Sequence, residues 1–278
     1  MFQRLTAHLT HVAFQAGRRL ALGDRRYRVK GYLPNRFSTG TAHEPHLQTV
    51  FRRLLSDRDG AFVGVGANLG QTLVSVLSID PQRQYVGFEP QIMCCAFLTQ
   101  FVADNGLSNV KIMPLALSNR YSVLDLHASN LGDVMATTLS DAETPVVASV
   151  PVAPGDEILA RLQLERIAII KIDVEGAEPE VMEGLRETVA RCRPAIVFEL
   201  LPNFTGMERA WRAEEARLAN RERAARIHAF LTEAGYRVFQ IDRLGGEHPL
   251  DRFELDDPAN FVGSDYLALP DEAAAPPN

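Results

Sequence analysis

The apolar run Ile167-Ala168-Ile169-Ile170 passes without a break into Lys171-Ile172-Asp173-Val174-Glu175-Gly176-Ala177-Glu178, and no other stretch constrains the fold of this chain as strongly. A short β-branched run followed at once by a glycine and a helical pattern reads as a strand buried on both faces, running into a loop and helix of a parallel sheet. Open α/β sheets of this kind bind ligands beyond the C-terminal ends of their strands. Alternation along the strand sets Lys171 and Asp173 on one face and Ile172 on the other, so the two charges can serve a single site. Glu175 and Glu178 fit a simpler part equally well, as acids that favour the positive end of the following helix.

The surrounding pattern repeats the strand and helix alternation. Residues 61–65 read as a strand, 69–79 as a helix, 84–88 as a strand, 91–105 as a helix and 110–117 as a third strand. The pattern then weakens into short β-like pieces at 122–126 and 146–152. After the charged strand, 178–191 is helical, 195–200 is a strand ending on Glu199, and 207–234 is a long charge-laced helix closed by Gly235. Residues 236–241 and 260–269 supply two further strands, joined by a polar loop with Gly245-Gly246. This order predicts an α/β, doubly wound, mostly parallel sheet.

Regular alternation starts near Asp59, so 278 residues with 46% apolar content divide into a basic helical N-terminal arm over 1–58, one large domain over 59–270 and a disordered Ala/Pro-rich tail over 271–278. In residues 1–30, Arg4, Arg18, Arg19, Arg25, Arg26, Arg28 and Lys30 stand against the single acid Asp24. Phe2, Leu5, Leu9, Phe14 and Leu20 lie among them. An amphipathic helix built this way packs on its own domain, or touches an anionic membrane or a second copy as a peripheral or self-associating element. The overall net charge of −6 argues against nucleic-acid partners. Cys94, Cys95 and Cys192 have neither CxxC nor metal-ligand spacing, and no run is long enough to span a membrane. A cytoplasmic protein is the expectation.

The first strand-to-helix turn is Gly64-Val65-Gly66-Ala67-Asn68-Leu69-Gly70, the place where such sheets hold a phosphate or nucleoside. Glycine permits positive φ and close approach of a ligand, although the GxGxxxG spacing is one residue longer than the dinucleotide fingerprint. Glu89 closes the second strand at close to the roughly 20-residue spacing at which an acid meets ribose hydroxyls. A carboxylate accepts two hydrogen bonds from a cis-diol. Glycine turn and strand-end acid together indicate a nucleoside site.

The order of Val65-Gly66-Ala67-Asn68-Leu69-Gly70, Phe88-Glu89-Pro90, Ala116-Leu117-Ser118, the run from Lys171 to Glu178 and a strand ending at Glu199 resembles the FkbM-type methyltransferases over roughly residues 60–270. The resemblance implies a Rossmann-like, seven-stranded class I methyltransferase fold with its last strand antiparallel. It also implies S-adenosyl-L-methionine as cofactor and a hydroxyl of a sugar, glycan or other small molecule as acceptor. On this chain it makes Gly64, Gly66, Ala67, Asn68 and Gly70 the turn around the cofactor's amino-acid end and Glu89 the ribose acceptor, with Asp173 beside the transferred methyl. One departure stands out: the family usually carries an acid directly before Val-Gly-Ala-Asn, and this chain has Gly64.

Methylation of an alcohol needs an in-line approach to the methyl and removal of the hydroxyl proton. Asp173 is the first candidate for the base, with Glu175 and His127 behind it. Lys171 pairs with Asp173 or with Glu199 on the next strand, because a buried charge needs such a partner. A divalent ion held by Asp173 with Glu175 or Glu199 is compatible with oxygen ligands, and none is assigned. Trp211 and the loop Leu201-Pro202-Asn203-Phe204 form either an acceptor lid or ordinary packing. A nicotinamide-dependent oxidoreductase and a non-catalytic, nucleoside-binding or partner-binding member of the fold stay open beside the methyltransferase.

Overall fold

Short runs buried on both faces make the central strands, and a computed structural model gives their arrangement over residues 18–22, 25–29, 44–127, 145–203, 214–256 and 262–271. The first elements are a hairpin of β1 (Arg18–Leu22) and β2 (Arg25–Val29), paired antiparallel, and then α1 (Pro45–Asp57). Where the sequence predicts a basic helix, residues 18–22 and 25–29 form strands. Arg26-Tyr27-Arg28-Val29 alternates with period two, which buries Tyr27 and Val29 and leaves Arg26 and Arg28 exposed. Phe2, Leu5, Leu9 and Phe14 lie outside the described residues.

Next come β3 (Ala61–Val65), α2 (Gln71–Ile79), β4 (Tyr85–Phe88), α3 (Ile92–Asp104) and β5 (Val110–Met113). β6 (Ala116–Ser118), β7 (Ser122–His127) and β8 (Val146–Pro154) make a separate three-stranded sheet in the order β6-β8-β7. The expected continuous strand over 110–117 is thus two strands in two sheets, and Pro114, which has no N–H to give a ladder, sits at the break. α4 (Gly155–Arg161) leads to β9 (Ile167–Ile172), α5 (Glu178–Glu183), α6 (Arg186–Cys192) and β10 (Ala195–Glu199). The helix expected over 178–191 is broken at Gly184, where a Cβ would stand 1.9 Å from the Ser118 carbonyl oxygen, so this turn must lie flat against β6. α7 (Glu214–Glu233), β11 (Tyr236–Ile241), β12 (Glu247–Leu250) and β13 (Asp265–Pro270) complete the described chain. Trp211, Phe204 and the start of the predicted long helix fall outside the described residues, as does the tail beyond Asp271.

The main sheet has eight strands in the order β12-β11-β13-β10-β9-β3-β4-β5. β10, β9, β3, β4 and β5 run parallel, while β13 inserts antiparallel between β10 and β11. The antiparallel last strand agrees with the sequence reading, and the strand count of seven is corrected to eight. The addition is β12, which pairs antiparallel with β11 across the Gly245-Gly246 turn. Asp242 shapes that turn by accepting hydrogen bonds from the backbone N–H groups of Leu244 and Gly246 at 2.8 and 2.9 Å. Glu-His-Pro-Leu carries no apolar alternation, and its proline is tolerated because β12 is an edge strand.

Both faces of the sheet are covered. On one, Phe62, Tyr85, Ile169, Val197 and Leu267 meet α1, α2, α3 and the hairpin; on the other, Val63, Val86, Ile170, Phe198 and Tyr266 meet α4 to α7. α1 buries Leu47, Val50, Phe51, Leu54 and Leu55 in the first of these layers, so the cover of the sheet begins ahead of residue 59. The hairpin is fastened to α3: the Tyr27 and Phe101 ring centroids are 5.7 Å apart, and Asn105 exchanges hydrogen bonds of 2.7 and 2.8 Å with the Arg28 backbone. Among the described residues no helix is long and apolar enough to cross a membrane.

Candidate functional site

A cavity of about 480 Å³ opens at the C-terminal ends of β3, β4, β9 and β10. Its floor is the turn after β3, stitched to both neighbouring strands. The Gly66 and Ala67 N–H groups donate to the Phe88 carbonyl at 3.0 and 2.9 Å, and the Asp173 N–H donates to the Val65 carbonyl at 2.9 Å. Gly66 has φ 87°, and a Cβ on it would lie 1.8 Å from the Asp173 carbonyl oxygen. Asn68 takes the left-handed conformation at φ 49°, which Asn tolerates better than most residues.

Glu89 faces this turn from the end of β4. Its Oε2 accepts from the Asn68 N–H at 2.6 Å and its Oε1 from the Gln91 N–H at 2.8 Å. Burial raises the Glu89 carboxyl to about 7; those two backbone donors oppose the rise, and the charge of Asp173 adds to it. Each carboxylate oxygen has a further lone pair, so a bound diol can still be received.

At the tip of β9, the buried Lys171 Nζ donates to Asp173 Oδ2 at 2.7 Å and lies 3.6 Å from Glu44 Oε2. Burial alone would lower the Lys171 ammonium; the charges of Asp173 and Glu44 outweigh it and hold the group above its ordinary range. Lys171 does not pair with Glu199. The register sets Val197 opposite Lys171, so Glu199 lies two residues further along β10, about 6–7 Å at the rise of a strand. Glu199 accepts instead from the Ser264 hydroxyl at 3.0 Å. Burial, then the charges of Asp173 and Asp265, push its carboxyl up to about 8.

Glu175 lines the cavity with φ 55°, followed by Gly176 at φ 111°. The neighbouring Glu178 is more than a helix-end charge. Its buried carboxylate accepts from the N–H groups of Val174 and Gly176 at 3.4 and 3.0 Å and so holds the turn that carries Asp173 and Glu175. Burial pushes Glu178 up to about 7 against those hydrogen bonds.

Lys171, Asp173, Glu175, Gly66, Ala67, Asn68 and Glu89 therefore share one cavity. Gly64, Gly70 and His127 stand outside its lining. Gly70 is the left-handed N-cap of α2, with Leu98 packed where a side chain would go. Gly64 lies beneath the floor: a Cβ there would meet Tyr85 Oη at 2.4 Å, so the tyrosine occupies the space that an acid at 64 would need. Gly64→Asp is accordingly expected to destabilise the chain by about 1–3 kcal/mol through overpacking. Thermal unfolding checks this, and an unchanged midpoint would mean that the Tyr85 ring yields without cost. His127 closes β7 in the small sheet. Sequence reasoning missed Glu44, Gln91 and Ser264. Gln91 was open to detection as the N-cap of α3, whereas Glu44 and Ser264 reach the site from segments with no motif.

Comparison with known proteins gives a family profile, a relative and two solved structures. The profile of the methyltransferase FkbM domain matches residues 64–238. The 2-O-methyltransferase NoeI of Sinorhizobium fredii (strain NBRC 101917 / NGR234) is 28% identical over 165 residues, which cover 53% of this chain and 65% of that protein. Among solved structures, a methyltransferase FkbM from Methylobacillus flagellatus KT matches with a TM-score of 0.44 and 13% identity over 76% of this chain and 43% of its own. An O-methyltransferase from Bacillus cereus, solved with SAH, matches with a TM-score of 0.45 and 10% identity over 82% of this chain and 80% of its own. With the profile spanning more than half its length, from the strand that carries the glycine turn to β11, the chain belongs to the FkbM methyltransferase family.

Proposed function

We propose that the chain transfers a methyl group from S-adenosylmethionine to a hydroxyl oxygen of a sugar, glycan or other small acceptor. The observation that carries this reading is Asp173, fixed at the tip of a buried strand in the same cavity as the Gly66 turn and Glu89. The relative named a 2-O-methyltransferase supports oxygen as the acceptor atom.

The residues present suit the cofactor. A cavity of about 480 Å³ falls in the range of small-molecule sites. Gly66, Ala67 and Asn68 would hold the amino-acid end, and Glu89 would receive the ribose hydroxyls. When bound, S-adenosylmethionine supplies an electrophilic methyl on sulfur. Asp173 takes the proton of the acceptor hydroxyl: Lys171 engages Oδ2 and fixes the carboxylate's direction, leaving Oδ1 to receive it. Glu199, largely a neutral carboxyl at pH 7, is suited to donate a hydrogen bond to the acceptor.

Calorimetric titration with S-adenosylhomocysteine, with NAD as control, tests the reading. Micromolar binding of the first alone is expected, lost in Glu89→Ala. Because diol hydroxyls donate to the ionised form of Glu89, affinity should rise as pH increases from 6 to 8 through the Glu89 value of about 7. Binding of neither ligand would favour a non-catalytic member of the family, and binding of NAD alone would favour an oxidoreductase.

A further inference from the structure

The cofactor accounts for one part of the cavity, the turn after β3 and the tip of β4. Much of the remaining lining comes from the three-stranded sheet, α5 and α7, and includes Arg120, Leu124, Leu126, Val152 and Arg223. An acceptor has to be received there. Leu124, Leu126 and Val152 make this wall apolar, and Arg120, in the turn between β6 and β7, adds a guanidinium to it.

Arg120 is mounted between two tied neighbours. Before it, the Asn119 amide donates to Glu183 Oε2 on α5 at 2.7 Å, and Ser118 lies against Gly184, where a Cβ would stand 1.9 Å from its carbonyl oxygen. After it, the Tyr121 hydroxyl donates to Glu157 Oε2 on α4 at 2.6 Å. Helices on both sides thus fix the chain that carries this cation. The acids closest in that scaffold already have donors: Glu183 also accepts from Arg226 at 2.7 Å, and Arg226 donates to Glu180 as well. Arg120 itself makes no ion pair among the described residues, and its hydrogen bond to Asn119 Oδ1 is stretched to 3.4 Å. A guanidinium presents its N–H donors in a planar fork that matches a carboxylate or a phosphate, and apolar neighbours strengthen such a pair by lowering the local dielectric.

Resting on the methyltransferase reading, we infer that Arg120 binds an anionic group, carboxylate or phosphate, carried by the acceptor. The pairing is charge-assisted, N⁺–H to O⁻, and the fork sets the acceptor's orientation as well as its affinity. The acceptor class narrows accordingly from sugars in general to acidic ones.

The test uses the full chain saturated with S-adenosylhomocysteine and titrated with methyl glucuronoside, glucose 1-phosphate and the neutral methyl glucoside. Calorimetry should find a charged probe bound about 10-fold more tightly than methyl glucoside, equivalent to about 1.4 kcal/mol. The tighter of the two charged probes identifies the anion as carboxylate or phosphate. Arg120→Gln should erase the preference while S-adenosylhomocysteine affinity stays within about twofold of wild type, and Arg120→Lys, which keeps the charge without the fork, should recover part of it. Equal affinity for charged and neutral probes would overturn the assignment, as would binding of none of them or a preference that survives in Arg120→Gln. A wild-type chain that does not bind S-adenosylhomocysteine removes the methyltransferase reading itself and this assignment with it.

Discussion

Replacing Gly66 with alanine is expected to cost about 3 kcal/mol or more and to abolish binding of S-adenosylhomocysteine. Two penalties combine. The residue is held at φ 87°, where an L side chain is strained by roughly 1–2 kcal/mol. The added methyl would also stand 1.8 Å from the Asp173 carbonyl oxygen, which is rigid backbone at the end of β9. Neither partner can retreat cheaply, because Gly66 donates to the Phe88 carbonyl and Asp173 donates to the Val65 carbonyl. Relief requires breaking the seam between β3 and β9 at the point where both carry the site. For a domain of this size the melting midpoint should fall by about 6–12 °C. A midpoint within about 2 °C of wild type, with ligand affinity retained, would mean that the turn is far more compliant than its geometry indicates.

Asp173→Asn is expected to lower the rate of methyl transfer by about 10²–10⁴-fold while leaving S-adenosylhomocysteine affinity within a few-fold. The amide keeps an oxygen for Lys171 but cannot take a proton from an acceptor hydroxyl. Lys171 keeps Glu44 at 3.6 Å as a counter-charge, so the buried ammonium is not stranded. The measurement is single-turnover transfer to whichever hydroxyl acceptor the wild type uses in a panel of methyl glycosides and oligosaccharides. A variant that retains more than about a third of the wild-type rate would rule out Asp173 as the base and direct attention to Glu175 or Glu199.

What could be read from the sequence was local. The strand Ile167–Ile172, its charged tip, the glycine turn and Glu89 each announce themselves within a few residues, because burial on both faces, positive φ and strand-end acids leave short-range marks. The rest depends on contacts that no local pattern encodes. Glu44 meets Lys171 only once α1 has packed on the sheet. Of the two partners open to Lys171 in the sequence, it takes Asp173; the choice depends on the register, which sets Val197 opposite Lys171 and Glu199 two residues further on. The basic hairpin was misread because apolar residues scattered among arginines suit either period. Tyr27 and Val29 settle it through their burial against α3, which is a tertiary fact. Gly184 likewise breaks a helix for the sake of β6, far from it in sequence.

The family profile ends at residue 238, yet β13 (Asp265–Pro270) lies between β10 and β11 inside the sheet, and α1 and the hairpin roof one of its faces. A fragment cut to the recognisable stretch would have an unzipped sheet and a bare apolar wall. The segment that inheritance marks and the segment that can fold are therefore different lengths of chain: the first follows the chemistry of the cavity, the second the closure of the core. Cutting this chain at the bounds of its sequence signature would keep the residues around the cavity while severing the strand that holds them in line.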